Sequence, residues 1–197
     1  MKIIKNNKIL ITLSLGLAIL GSQAIFSAAG PTKAPSAGIL PFIKKGGTWY
    51  VIMGVRPQKG VIILSDFGGK TDKGEKPQQT AFREFNEETN RIFRNDKLVY
   101  MDEQPASYHP TYFYSLPSSV NIKQKLQELN ADPNHELRGY VSVKLNDLIK
   151  TIKRSPNRNV VVHGWNGNYT GRYQVWPRFV RDILRPALPK LSRINAR

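Results

Sequence analysis

One segment of the chain, from Gly68 to Asn90, constrains the fold more than any other, because it joins a glycine turn to a two-faced helix. Pro77 stands where a first helical residue is expected, since the fixed φ of proline suits that position. From Thr80 to Phe93, apolar side chains recur at helical spacing. This periodicity predicts an amphipathic helix that docks its apolar side on a sheet.

The opposite face of this helix is acidic. With about 100° of rotation per residue, Glu84, Glu87 and Glu88 share one face within a single turn, and we expect that face to point away from the core. Like charges at this spacing destabilise a helix. A divalent cation such as Mg²⁺, which takes carboxylate oxygens as ligands, would convert the repulsion into binding. A solvated acidic surface is the alternative.

The residues around the acidic face support the metal interpretation. Four of the 14 acidic residues of the chain lie between Glu75 and Glu88, although the chain is otherwise basic. Arg83 lies one turn before Glu87 and can orient that carboxylate or Glu75. Gly68 and Gly69 allow close approach of the backbone to a ligand, so a backbone carbonyl could join the cation.

The spacing of these residues resembles the Nudix box. Five residues separate Gly69 from Glu75, and seven separate Glu75 from Arg83. The run that follows is Arg83-Glu84-Phe85-Asn86-Glu87-Glu88-Thr89. The closing glycine of the family is Asn90 here, and asparagine is the next-best residue for a left-handed helix cap, so we expect the helix end to survive.

The resemblance implies a fold, an activity and a set of site residues. The fold would be α/β, with the mixed sheet of the Nudix α/β/α sandwich between helices. The chain would be a pyrophosphohydrolase that cleaves a nucleoside diphosphate linked to another group, with water activated by a divalent metal, Mg²⁺ or alternatively Mn²⁺. The implied metal ligands are Glu84, Glu87, Glu88 and the carbonyl of Gly69. The implied catalytic set adds Arg83 and Glu75 to the three glutamates, without deciding which glutamate is the general base.

Three residues outside the metal face are candidates for substrate binding: Arg56, Lys70 and Glu136. The two cations could hold phosphate oxygens, although a plain surface charge is the alternative. We expect substrate choice to lie in residues 102–138 and 153–174. A catalytically silent module that binds a nucleotide or RNA is the alternative to an enzyme.

The remaining sequence predicts strands interspersed with helices, which favours helices packed on a mixed sheet. We predict a domain over residues 36–190 whose last helix runs from Pro177 to Leu184 and is stopped by Pro186 and Pro189. Residues 191–197 would then form a basic tail.

The N-terminus has the pattern of a secretory signal. Three lysines precede an apolar run from Ile9 to Leu20, and small residues follow it. We expect a signal peptide over residues 1–28 and a linker over 29–35. The protein would then be exported to a periplasm or secreted. A membrane anchor formed by an uncleaved leader is the alternative.

The chain is strongly basic, with a formal net charge of +16, of which +13 lies outside the leader. Such a surface attracts polyanions, including nucleotides, nucleic acid and anionic lipid. A solvated basic surface without a partner is the alternative, and no obligate protein partner is evident. Cysteine is absent, which excludes disulfides, zinc–thiolate sites and thiol nucleophiles.

Overall fold

A computed structural model describes residues 34–58, 60–94, 96–131, 137–155 and 159–197. The predicted signal peptide over 1–28, residues 29–33 of the predicted linker, and Glu136 lie outside the described residues. Within the described ranges, no helix is both long and apolar enough to span a membrane.

The described part of the chain contains nine strands and five α-helices. The strands are β1 (Ser36–Lys45), β2 (Thr48–Gln58), β3 (Val61–Ser65), β4 (Phe67–Lys70), β5 (Val99–Gln104), β6 (Thr111–Leu116), β7 (Gly139–Lys144), β8 (Val160–Trp165) and β9 (Thr170–Val175). The helices are α1 (Pro77–Glu88), α2 (Ile122–Ala131), α3 (Leu145–Arg154), α4 (Pro177–Phe179) and α5 (Leu188–Ala196), and a π-helical turn (Val180–Leu184) follows α4.

The strands form one mixed sheet. β1 runs parallel to β6 and β3 runs parallel to β9, whereas the other pairs are antiparallel. β3 pairs with β2 as well as with β9. The pairings β2–β7, β7–β8, β8–β9, β9–β3 and β3–β2 therefore close a ring of five strands.

Helices cover both faces of the sheet. β2 shows why, because Val51 and Met53 belong to one apolar cluster while Ile52 between them belongs to the other. A strand that is buried on both faces reads as a continuous apolar run. α3, the π-helical turn and α5 pack on the first cluster, and α1 and α2 pack on the second. The predicted α/β sandwich with a mixed sheet is confirmed.

Residues 153–174, where we expect part of the substrate choice to lie, are mostly in α3, β8 and β9. On β8, Val160 and Val162 are buried, whereas Val161 and His163 are exposed. This alternation marks a strand with one covered face. The β8–β9 hairpin turns at Gly167, which has a φ of +101°. Glycine adopts this backbone conformation without a steric penalty.

The C-terminus differs from the expectation, because the predicted basic tail over 191–197 is mostly helix. α5 extends to Ala196, and its Leu191 and Ile194 are buried in the first apolar cluster. Pro189 lies in the first turn of α5, where proline is tolerated because its missing N–H has no partner there. The proline that was expected to stop a helix therefore begins one.

We predict that Leu191→Ala lowers the free energy of unfolding by about 2–5 kcal/mol, because it leaves a cavity in the core. Urea unfolding followed by circular dichroism measures the change. Ser192→Ala, on the same helix but outside the core, serves as the control and should stay within about 0.5 kcal/mol of the unchanged protein. Equal stability of the Leu191 variant and the unchanged protein would mean that α5 is dispensable to the core.

Candidate active site

Gly68 and Gly69, which the sequence placed in a turn, lie in strand β4, and the name glycine turn denotes these two residues. Their position is set by a change of strand partner. The chain from Val61 to Lys70 pairs first with β2, as β3, and then with β1, as β4, and Asp66 stands between the two strands. Gly68 lies opposite Gly38 of β1, and a Cβ on Gly68 would overlap the backbone of Ala37. Glycine is therefore required for the close approach of the two strands.

Local interactions define both ends of α1. At its start, the backbone N–H of Lys76 donates to the Gln79 side chain at 2.9 Å, and Pro77 occupies the first turn. At its end, Asn90 has the left-handed φ of +45°, which confirms the expected cap conformation. Arg91 is left-handed as well, with φ of +57°. The helix ends at Glu88, earlier than the predicted Phe93.

Arg83 connects α1 to the loop that precedes it. Its Nε donates to Glu75 at 2.9 Å, and its Nη1 donates to Glu84 at 2.8 Å and to Glu87 at 3.0 Å. Its Nη2 donates to the backbone carbonyl of Lys70 at 2.8 Å. The Arg83 guanidinium and the backbone N–H of Asp72 hold the pKa of Glu75 at about 2. The carboxylates in turn raise the pKa of Arg83, so both partners stay charged.

Glu84 lies against the glycine turn. A Cβ on Gly69 would overlap the Glu84 carboxylate, so only a glycine admits this approach. The Glu84 side chain is 13% exposed, whereas that of Glu87 is 54% exposed. A partly desolvated carboxylate and an open one therefore lie side by side on the helix face.

Glu88 differs from the expectation that all three glutamates point away from the core. Its side chain is buried, and it accepts bonds from the Arg56 guanidinium and, at 2.9 Å, from the backbone N–H of Gly68. Arg56 also donates to the side chain of Ser65 at 2.9 Å and to the carbonyl of Gly68 at 3.2 Å. Glu88 thus ties α1 to β2 and to the glycine turn, a role that helical periodicity could not reveal.

The oxygen atoms at this face of α1 are chemically suited to bind a divalent cation. The oxygens of Glu84 and Glu87, together with the Gly69 backbone beside Glu84, are hard ligands of the kind that Mg²⁺ prefers. In the part of the chain that the structure describes, however, no three acidic or histidine side chains are grouped to hold a metal ion. Arg83 and Arg56 instead bond the carboxylate oxygens.

A cleft of about 290 Å³ opens beside the glycine turn. Two of the predicted substrate-binding residues, Arg56 and Lys70, line it, as do Gly68 and Gly69. The third, Glu136, lies outside the described residues. Three further lining residues were not predicted to bind substrate: Asp66, His109 and Trp176. The sequence held one signal for Asp66, since Ser65 and Asp66 interrupt an apolar run shortly before the two glycines.

Asp66 and His109 form a largely buried pair at the wall of this cleft. The Nε2 atom of His109 lies 2.9 Å from the Asp66 carboxylate, which also accepts a bond from Thr111 at 2.9 Å. The Nδ1 atom lies 2.9 Å from the Ser36 hydroxyl, whose own proton goes to the carbonyl of Tyr108 at 2.8 Å. Nδ1 must therefore donate, and a bond from Nε2 to the Asp66 carboxylate requires a second proton on the ring.

The contact with Asp66 also changes the pKa of His109. Burial acts to lower the pKa of His109, but the charge and hydrogen bond of Asp66 outweigh it, so the pKa is raised above its ordinary value. The more distant charges of Arg56 and Glu88 act in opposite directions. His109, two residues before β6, thus joins that strand to Asp66 between β3 and β4.

Comparison with known proteins finds one family match and several similar solved structures. The NUDIX domain family model matches residues 32–163. Solved structures that resemble the chain include an Ap4A hydrolase of C. elegans (22% identity over 58% of this chain and 83% of that chain, TM-score 0.41). A Nudix hydrolase of M. smegmatis, RenU, is 18% identical over 58% of this chain and 73% of that chain (TM-score 0.42). NrtR of Shewanella oneidensis, complexed with DNA, is 18% identical over 60% and 54% of the two chains (TM-score 0.37). No curated protein matched the sequence.

The two adjacent glycines should respond differently to alanine. In Gly68→Ala the new Cβ meets backbone, so we expect a loss of roughly 1–3 kcal/mol or more in the free energy of unfolding. In Gly69→Ala the Cβ meets the carboxylate of Glu84, a side chain that can move. We therefore expect Gly69→Ala to keep most of the stability and to lose activity. Thermal unfolding measures the stability of both variants, and product formation measures their activity. Equal losses of stability in the two variants would contradict the prediction.

The raised pKa of His109 predicts a stability that depends on pH. Because the folded pKa lies above the unfolded value near 6.5, the stabilisation is fully present below that value and is lost as pH rises through the folded pKa. Denaturant unfolding between about pH 6 and 9 should therefore show a decline that His109→Gln reduces. His163→Gln, at an exposed position of β8, is the matched control. Identical pH profiles for all three proteins would rule out this linkage.

Proposed function

Because this chain belongs to the Nudix family of pyrophosphohydrolases, we propose that it hydrolyses the diphosphate bond of a nucleoside diphosphate linked to another group. The observation that carries the proposal is the set of carboxylates that Arg83 holds against the glycine turn. Glu84 lies against Gly69, which lines the cleft, and Glu87 lies on the open face of α1. A diphosphate in this position would meet both the carboxylate face and the cations of the cleft.

We assign the cation site to Glu84, Glu87, Glu88 and the carbonyl of Gly69, with Mg²⁺ as the expected ion and Mn²⁺ as a substitute. When bound, the ion offsets negative charge on the diphosphate and orients water for attack. Glu88 would offer the cation the same carboxylate that accepts bonds from Arg56 and from the Gly68 N–H. Binding of the cation at Glu84 and Glu87 would exchange their bonds to Arg83.

Arg83 keeps its position through this exchange because Glu75 anchors it. Two of its nitrogens lie 2.9 and 3.2 Å from the Glu75 oxygens, and a third contact reaches the Lys70 carbonyl. Glu75 therefore acts as a positioning residue. The carboxylate that accepts the proton from water is one of those on the open face of α1, where a substrate can reach it.

The cleft supplies the binding groups for the remainder of the substrate. Lys70 and Arg56 lie on its wall and are suited to phosphate oxygens, since both carry a fixed positive charge. Trp176 offers an aromatic surface in the same cleft, against which a planar group such as a nucleobase can stack. We propose that the nucleoside end of the substrate occupies this cleft.

Two further proposals concern the whole chain. The basic leader pattern of residues 1–28 supports export, with a cleaved signal peptide or a retained membrane anchor. The net charge of +16 supports contact with polyanions, including the substrate. N-terminal sequencing of the protein recovered from the producing cells decides between cleavage and retention.

We predict that Glu87→Gln lowers kcat by about 100-fold or more, since it removes one carboxylate of the set that binds the cation and accepts the proton. The substrates are ADP-ribose, dinucleoside polyphosphates and nucleoside triphosphates with Mg²⁺, and phosphate-containing products are measured. Chelation of the cation should abolish turnover in the same assay.

Glu128→Gln, an exposed glutamate of α2, is the matched control and should keep full activity. Turnover that survives both chelation and the Glu87 variant would refute the proposed site. Tight nucleotide or RNA binding without turnover would instead identify a catalytically silent module.

A further inference from the structure

A second depression lies at the other end of the carboxylate face. It has a volume of about 370 Å³ and is lined by Arg83, Asn86, Glu87, Arg91 and Arg94. Arg83 and Glu87 belong to the candidate active site, whereas Arg91 and Arg94 belong to the turns that follow α1. The depression therefore continues the active site past the end of the helix.

The arrangement of contacts places the carboxylates between the two cavities. Gly69 and Lys70 line the cleft, and they contact Glu84 and Arg83 respectively. Arg83 in turn bonds Glu87, and these two residues line the second depression. An extended ligand whose middle lies at the carboxylates can thus reach the cleft at one end and the arginines at the other.

The two outer arginines carry positive charge that other described residues do not offset. Both are exposed, and neither guanidinium forms an ion pair or a hydrogen bond with another described residue. Arg83, by contrast, is bonded to three carboxylates. The depression therefore has a net positive charge of its own, which increases when a cation neutralises Glu87.

The turn that carries Arg91 and Arg94 packs against buried residues and is bonded to α2. Phe93 is buried and stacks on Phe85 at 5.8 Å, and Lys125 donates to the carbonyl of Ile92 at 2.6 Å. Lys125 also pairs with Asp96 at 2.9 Å. Phosphate recognition benefits from such a fixed support, because less side-chain and loop ordering is then required on binding.

The backbone at Arg91 adds a separate argument. Its φ of +57° is left-handed, a conformation that glycine adopts freely and that side chains with a Cβ resist. A residue with a Cβ in this conformation carries backbone strain, which favours a functional use of its side chain. The side chain of Arg91 faces the depression rather than the core.

We propose that Arg91 and Arg94 bind the terminal phosphates of a substrate whose phosphate chain is longer than the diphosphate at the carboxylates. This inference rests on the proposed function and narrows it to nucleoside polyphosphates with three or more phosphates. Guanidinium groups suit this task because they present paired donors to phosphate oxygens. A substrate with only two phosphates does not extend to these residues.

The first test measures binding without catalysis. Isothermal titration calorimetry follows inorganic tripolyphosphate added to the full chain in the absence of divalent cations. Arg91→Gly with Arg94→Gln should weaken binding by about tenfold or more, since each arginine makes charged hydrogen bonds. The double variant Lys123→Gln with Lys150→Gln removes the same charge from exposed positions on α2 and α3 and should bind as the unchanged protein does.

The variants are chosen to preserve the fold. Arg91→Gly relieves the left-handed backbone, and Arg94→Gln alone leaves the backbone untouched and should still weaken binding. Thermal unfolding confirms that each variant is folded. Equal affinity of the unchanged protein and the arginine variants, an equal loss in the lysine control, or no measurable binding by the unchanged protein would overturn the proposal.

The second test compares substrates. The arginine variant should lose about tenfold in kcat/KM, through KM, for a dinucleoside tetraphosphate or a nucleoside triphosphate, and stay within about twofold for ADP-ribose. Equal losses on all substrates would overturn the proposal while leaving the hydrolase intact. If no substrate is turned over but tripolyphosphate binding depends on the arginines, the phosphate site stands and the proposed hydrolase function fails.

Discussion

The contact between the Arg83 guanidinium and its surrounding oxygens is the interaction on which the site depends. Three parts of the chain meet there: the loop at Glu75, the carboxylates of α1, and the carbonyl of Lys70 at the end of β4. Hydrogen bonds between charged groups are roughly twice as strong as neutral ones. Since the clustered carboxylates repel one another, a positive charge at this point is what lets the helix and the loop lie together.

Buried acidic groups next to the site are also paired with basic groups. Arg56 pairs with the buried Glu88, and His109 pairs with Asp66. Removing a single partner from such a pair leaves a buried charge without compensation, which costs more than an exposed pair contributes. Both buried pairs border the glycine turn. The position of Gly68 and Gly69 is therefore fixed by electrostatics as much as by the sheet.

The sequence predicted those parts of the structure that depend on neighbours along the chain. The start of α1 at Pro77 and the left-handed cap at Asn90 follow from local backbone chemistry, and both are observed. The burial of Glu88 could not be predicted, because its partner Arg56 lies 32 residues away. The pairing of Asp66 with His109, which lie 43 residues apart in the sequence, could not be predicted for the same reason. The helical C-terminus was missed because a proline that stops one helix can also begin the next.

The closed ring formed by β2, β7, β8, β9 and β3 has a consequence for how the domain comes apart. A strand that is bonded on both sides cannot shift its register by one residue without breaking two ladders at once. The ring still has open edges where its pairings are short, because β9 bonds β3 only through Gln174 and Val175. β3 itself is bonded to β2 along its whole length and to β9 at Ile63 and Leu64. β4 follows β3 almost directly, so the two glycines of the site are attached to a strand that has to break both pairings before it can move.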